Sequence, residues 1–368
     1  MITGTCYIPV LTLRQFMQDV FVAVNVPPED ARTCAEVLIT SDLRGIESHG
    51  IGRLKLYYDR IKKGLQMPVT QFEVVREGPA TALVDGHHGM GQVIGVRAMQ
   101  MAIDKARIYG MGSVAVRNST HFGIDGYYPL MAVKAGMIGF SVTNARPSIA
   151  PTFGVQPMLG TNPIAFGAPT DEDCPFLFDA ATSITQRGKI EVLARKGQPV
   201  PDGWVIDQVG SSASDPVAIL DGFAKEKNAL LPLGGAGELL AGYKGYGLAT
   251  MVEILSASLQ GGSFLYGLLG IGEDGSPRPN CLGHFFMAIN IESFIALDEF
   301  KATTGAILRE LRAANKAPGQ ERIYTAGEKE YEREQKICSE GVPVVPELQK
   351  DIKSIQIELG LNKYQFPF

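Results

Sequence analysis

The chain has 368 residues, 45% hydrophobic and 20% charged, with a formal net charge of −5. That composition excludes a disordered or fibrous protein, and the length allows two or three lobes. An acidic balance also argues against a general nucleic-acid binder, which needs a basic surface to release counterions, but it leaves room for a local basic pocket.

The first third reads as helices. "TLRQFMQDVFVAVNV" places Leu13, Phe16, Met17, Val20 and Val24 at helical spacing. Pro27 and Pro28 precede a second helix whose first turn is acidic, which suits the positive end of its dipole. A third helix is expected after Ser48, a good N-cap residue, with Ile51, Leu54, Tyr58 and Ile61 inward and Gly64 as its stop.

From about residue 72 the texture changes. "ATALVDG", "GSVAVRN", "IGFSVTNA", "PIAFGAP", "PFLFDAA" and "FFMAINIESF" are short branched or aromatic runs that predict strands. "GVRAMQMAIDKARIYG", "YYPLMAVKAG" and "YKGYGLATMVEILSASLQGG" predict helices between them, and "LDEFKATTGAILRELRAAN" and "ELQKDIKSIQIELGL" predict two more near the end. Helix-rich ends around a mixed middle predict one discontinuous helical domain (residues 1–75 plus 300–368) and an α/β domain (76–299).

Five cysteines (Cys6, Cys34, Cys174, Cys281, Cys338) are odd in number and widely spaced, so they read as small buried hydrophobes of a reducing cytoplasm. Arg14, Gln18 and Asp19 interrupt the first apolar stretch, and neither a signal peptide nor a membrane span is expected.

Few motifs carry chemistry. "GIGEDG" (270–275) matches a dinucleotide fingerprint in letters, yet "SPRPN" follows where the phosphate-binding helix should start. No metal is expected: His87 and His88, if on a strand, point to opposite faces. No GxSxG elbow supports a serine nucleophile. "SHGIGR" is stronger. On a helix opened by Ser48, His49, Arg53 and Tyr57 share one face. The guanidinium would grip a small carboxylate while the imidazole exchanges a proton with the adjacent oxygen; a solvated face with an incidental histidine is the plainer alternative. His121 in "NSTHFGIDGYY", the amides and hydroxyls of "TNARPS" and of "GTNPIAFGAP", including Thr161, and Asp179 all fall in strand-end loops, where active-site groups collect. Asp179 reads equally well as a turn or cap aspartate.

Together "SDLRGIESHGIGR", "NSTHFGIDGYY", "TNARPSIAPTFG", "LGTNPIAFGAP", "FDAATS", "RGKIEV" and "GYKGYGLATMVEIL" resemble the type-2 malate/L-lactate dehydrogenase family over nearly the whole chain. The resemblance implies a mixed α/β, non-Rossmann NAD(P)-binding fold, usually a homodimer, that interconverts 2-hydroxy and 2-oxo acids. Malate or lactate is the first choice of substrate; sulfolactate, ureidoglycolate or a cyclic imino acid are the alternatives. It implies His49 and His121 as acid/base residues, and Arg53, Tyr57 and Thr161 as substrate contacts. Cofactor contacts fall on Ser48, Asp179, Ala180, Ala181, Thr182, Ser183, Lys244, Gly327 and Glu328. The cofactor is NAD, with NADP as the alternative; Arg187 and Arg195 are candidates for a 2′-phosphate. Ala326 stands where many relatives carry proline.

Overall fold

The computed structural model describes residues 4–368, the side chains of Arg195 and Ala224 excepted. The chain opens with β1 (Cys6–Ile8), α1 (Val10–Ala23) and α2 (Pro28–Leu43). A 3-10 turn (Ile51–Arg53) leads into α3 (Leu54–Lys62). Then come β2 (Glu73–Glu77), β3 (Thr81–Asp85), α4 (Gly91–Tyr109), β4 (Met111–Ser119), α5 (Tyr127–Lys134), β5 (Met137–Thr143), β6 (Ile164–Ala168) and β7 (Phe176–Ala180). A smaller lobe holds α6 (Arg187–Lys196), β8 (Val205–Asp207), α7 (Pro216–Ala224) and β9 (Asn228–Leu230). The rest is α8 (Gly242–Ala257), β10 (Leu282–Asn290), α9 (Leu297–Ala313), α10 (Glu328–Glu340), β11 (Val342–Val344) and α11 (Pro346–Glu358).

Seven strands form the main sheet in the order β2-β3-β4-β10-β5-β6-β7. Only β3 and β4 run parallel, joined by α4; the other neighbours are antiparallel. The late strand β10 inserts at the centre, so its Phe286 and Ala288 are buried beneath α4 and α5. This mixed order differs from a doubly wound parallel sheet. "GIGEDG" lies outside any helix start, in a turn closed by the Ile271–Pro277 bridge.

Both chain ends build one core. Leu13, Phe16, Val20 and Phe21 of α1 and Tyr57 of α3 pack with Ile337, Val344, Ile352 and Ile355, and Met90 and Val93 join from the α4 side. The short β1–β11 pair ties the ends covalently remote in sequence, Cys6 opposite Val344. A separate core, with Ile149, Leu159, Ile190, Val205, Ile219, Leu230 and Ala249, lies under the smaller lobe.

Two local expectations are corrected. His87 and His88 sit not on a strand but in a turn with φ of 46° and 59°; His87 Nε2 meets Glu73 and His88 Nδ1 meets the Asn280 carbonyl. The five cysteines are unpaired, but only Cys34 is fully buried and Cys338 is exposed. No helix among the described residues is long and apolar enough to cross a membrane.

Candidate active site

The α3 entry does not follow the expected N-cap. Ser48 caps nothing: its Oγ lies 2.8 Å from His49 Nδ1. The Ile51 amide donates instead to Asp42 Oδ2 at 2.8 Å, from the end of α2. That approach needs Gly50, since a Cβ there would overlap the Asp42 carboxylate. Regular helix begins at Leu54, so His49 stands before the helix and only Arg53, Tyr57 and later residues follow the stripe.

His49 and His121 come together. Their rings stack with centroids 5.4 Å apart, tilted by 25°. His121 arrives on the loop after β4. Its Nδ1 faces the Tyr57 hydroxyl at 2.6 Å and receives the Gly123 amide at 3.3 Å. An amide N–H can only donate, so Nδ1 is the acceptor and Nε2 carries the hydrogen. Tyr57 is fully buried. Its hydroxyl is therefore spent on orienting His121, and the expected direct substrate contact through Tyr57 is not how the structure uses it. Behind them His284 stacks on Phe122 at 4.3 Å and reaches the Thr143 hydroxyl at 2.7 Å.

Charge decides the resting state. Burial, then the Arg53 charge, pulls the His49 pKa down to about 4. Burial pushes His121 well below its ordinary value as well, with His49, Arg53 and Arg60 adding to the effect. Both imidazoles are neutral near pH 7. Arg53 donates its Nε to the Ser48 carbonyl at 2.6 Å. That anchor leaves the two terminal nitrogens for a carboxylate gripped end-on.

The remaining candidates lie on neighbouring loops. The Thr161 carbonyl accepts from both the Thr182 amide (2.9 Å) and hydroxyl (3.1 Å), and its own side chain is half-buried. Asp179, at the end of β7, accepts from the amide of Gly126, the residue that opens α5, at 2.8 Å. Ala180 and Ala181 continue the strand end, and Ser183 donates to the Thr185 carbonyl. Gly188 at the start of α6 approaches Ser48 to 3.8 Å from its notional Cβ, which brings that helix beside the histidines. Lys244 projects into solvent from the first turn of α8.

Gly327 has φ 93° and packs on the backbone of Leu177 in β7. The Glu328 carboxylate is already occupied by the Thr325 amide, Arg312 and Arg322, which hold its pKa down near 2 against burial. Glu328 thus pins this loop on β7. Arg187 pairs with Glu191, and the side chain of Arg195 lies outside the described residues. No group of three or more His, Cys, Asp or Glu able to hold a metal occurs among the described residues.

Sequence reading missed Asp42, and it took Asn162 of "GTNPIAFGAP" for a strand-end site amide, whereas its side chain ties the loop after β5 (Ala145 amide, 3.2 Å) to α8 (Glu253, 2.8 Å). It missed Arg60 too, although Arg60 follows Arg53 by seven residues on one helix face and could have been found from that spacing.

The mixed sheet is not the doubly wound dinucleotide domain, and the likeness to known proteins makes the chain an oxidoreductase of another fold. The chain belongs to the malate/L-lactate dehydrogenase family, whose model matches residues 8–353. It is 45% identical to the malate dehydrogenase of Pyrococcus horikoshii, with 96% of each chain covered. It is 39% identical to the L-sulfolactate dehydrogenase of Methanocaldococcus jannaschii, covering 95% of this chain and 96% of that one. The crystal structure of malate dehydrogenase from Entamoeba histolytica superposes with a TM-score of 0.95 at 44% identity, covering 99% of this chain and 100% of that one. Membership brings a nicotinamide cofactor and a small hydroxy or oxo acid substrate.

Two predictions follow from the geometry. Burial, with Glu47 nearby, pushes Asp42 up to about 8, against about 3.9 in an unfolded chain. Between those values the folded state binds the extra proton, so stability falls as pH rises from about 4 to about 8. Asp42→Asn keeps an acceptor for Ile51 and cannot ionise; urea titrations should show a flatter pH dependence and no loss at pH 8. Tyr57→Phe should leave the fold intact yet lower turnover by about 10–100-fold, because His121 loses its tautomer lock. Near-normal turnover with normal circular dichroism would count against that lock.

Proposed function

We propose that the protein interconverts a small 2-hydroxy acid and its 2-oxo acid, malate/oxaloacetate or lactate/pyruvate, with NAD as cofactor and NADP as the alternative. One observation carries this reading: two stacked neutral imidazoles beside an anchored arginine whose terminal nitrogens are free. Arg53 holds the C1 carboxylate and so aligns the carbon bearing the oxygen. His121 donates Nε2–H to that oxygen. His49 gives its proton to the developing alkoxide in reduction, or receives it in oxidation. His121 is the poorer proton carrier, since recharging its Nδ1 would draw on Tyr57, whose pKa burial raises well above the usual phenol value. A carboxylate on Arg53 offsets the arginine's share of the His49 depression, while the larger share from burial remains.

The residues fit a nicotinamide dinucleotide. Asp179 offers a carboxylate at a strand end for a ribose hydroxyl. The left-handed Gly234, Gly235 and Gly237 precede α8, where amides and Lys244 suit phosphates. Ser48, Ala180, Ala181, Thr182, Ser183 and Gly327 supply backbone and small side chains around it, with Thr161 on the substrate side. When bound, the nicotinamide supplies or accepts the hydride. His49→Gln should keep the fold and cofactor affinity but lose turnover by ~10²–10⁴-fold, and Arg53→Lys should cut kcat/KM for the 2-oxo acid by more than ~100-fold. Steady-state assays with NADH and NADPH check both; near-normal kinetics in Arg53→Lys would remove the clamp.

The core shared by both chain ends supports a helical domain of residues 1–75 plus 300–368 beside an α/β domain of 76–299. The unpaired cysteines suit the cytoplasm. A homodimer is supported by the later turns of α8: Ala249 and Val252 face inward while Leu248, Met251 and Ile254 are exposed, with Leu259 and Phe264 beyond. An exposed apolar patch of this kind suits a two-fold contact with its own copy. Light scattering should give twice 39.7 kDa, and Met251→Asp with Ile254→Asp should give the monomer. A monomeric native protein at micromolar concentration would refute the contact.

A further inference from the structure

The main sheet brings two acids together beneath the start of α5. Ser141 of β5 faces Ala165 of β6, and Ala165 faces Asp179 of β7. Directly opposed residues share a face, so only a methyl group stands between the Ser141 and Asp179 side chains. The segment entering α5 covers that row. Asp125 Oδ1 accepts from the Ser141 hydroxyl at 2.5 Å, and the next amide, that of Gly126, donates to Asp179 Oδ2 at 2.8 Å. The fit is close: a Cβ on Gly126 would lie 2.9 Å from that oxygen. One peptide group thus links the acid of the loop to the acid of the strand.

Their surroundings are unequal. Asp125 is only 3% exposed, and its Oδ2 is buried with no hydrogen-bond partner. An ionised oxygen without a donor is costly in a dry site, whereas a protonated carboxyl is neutral. No salt bridge to Asp125 occurs among the described residues. Burial, then the Asp179 charge, pushes its pKa well above the usual carboxylate range against the pull of the Ser141 bond. The other ionisable group that feels it, the Tyr128 phenol, donates to the Phe122 carbonyl. Asp179, by contrast, is reached by solvent at the strand end, although protein surrounds it closely enough to raise its pKa to about 6. Against that burial, and against the Glu330 charge of α10, work the Gly126 amide and the Arg44 charge at the end of α2. The start of α5 favours a negative charge there as well.

We infer that Asp125 carries the one proton this acid pair holds at neutral pH, and so leaves Asp179 as the single charged carboxylate facing solvent, a positioning role in cofactor binding. The inference rests on the reading of Asp179 as a ribose contact and deepens it. Two charges across one peptide group would repel each other and the phosphates of a dinucleotide. With Asp125 neutral, Asp179 keeps its charge for a ribose hydroxyl, while the Gly126 amide holds one of its oxygens in place. Acid then adds a second proton. As pH falls through about 6, Asp179 itself becomes neutral and its grip on the ribose weakens.

Infrared spectroscopy reads the proton directly. Near neutral pH the difference between native protein and Asp125→Asn should contain the carbonyl stretch of a protonated carboxyl group, present in the native spectrum and lost in the variant; the contribution of Asp42 cancels. Binding is followed by the fluorescence of NADH and of NADPH. Asp125→Ala should weaken the preferred cofactor about tenfold, the scale of a lost hydrogen bond in a charged site, with kcat changed less than about threefold. Asp125→Asn, the isostere of the protonated acid, should restore most of that affinity. Native affinity should fall below about pH 6, and in Asp179→Asn that dependence should vanish. Absence of the Asp125 carboxyl band would overturn the inference, and so would Asp125→Asn binding as weakly as Asp125→Ala, because the site would then require a charge at Asp125. Should Asp125→Ala fail to fold, the infrared comparison decides alone. If Asp179→Asn binds both cofactors as tightly as native protein at neutral pH, the ribose reading of Asp179 fails and takes the positioning role with it, while the infrared band still decides which acid holds the proton.

Discussion

The site depends on one buried contact, the Ile51 amide resting on the Asp42 carboxyl across Gly50. It joins the end of α2 to the turn that opens α3 and so sets where that helix starts. Three residues of 3-10 turn intervene before regular helix. His49 is thereby displaced from the Arg53–Tyr57 stripe and swung toward the loop after β4, where it meets His121. A helix starting at Ser48 would have kept His49 over Arg53. The observed start instead stacks the two imidazoles, with ring centroids 5.4 Å apart.

The central position of β10 performs the second part of the assembly. It pairs with β4 and β5 along nearly its whole length, and the Gly283 amide at its beginning donates to Asn144. The loops that follow β4 and β5, carrying His121 and Asn144, thus leave the same end of a rigid sheet on either side of one strand. Asn162 and Glu253 extend that bracing to α8. The catalytic candidates sit on loops, but each loop is bolted to a strand or helix by a buried polar bond, as precise positioning requires.

Much of this was legible in the sequence. Strands such as "IGFSVTNA" and helices such as "GVRAMQMAIDKARIYG" fall where branched runs and helical spacing put them, because each has a buried face that imposes its period. The failed context of "GIGEDG" correctly pointed away from a doubly wound sheet. Other elements left little periodic trace. β2, "EVVRE", is an exposed edge strand guarded by charge, and β1 and β11 have three residues each and exist through their mutual pairing. The histidine–arginine pair was readable because its residue types are chemically distinctive at short spacing. The bracing by Asp42 and Asn162 was not, because it arises from contacts between segments distant along the chain, which no local window contains.

On the reading proposed above, the electrostatics of the site set the starting charge state of the reaction. Burial and the arginine field keep both imidazoles neutral, so His49 meets a 2-oxo acid as a base rather than as a ready acid. An arriving carboxylate offsets the Arg53 share of that suppression and leaves the share from burial, so it eases the protonation of His49. The hydroxy acid, conversely, meets a histidine already in its basic form. Oxidation therefore starts from the resting charge state, whereas reduction requires a proton taken up with the anion. On that reading the arginine that attracts the substrate also eases the uptake of the proton, and recognition is linked to chemistry through charge.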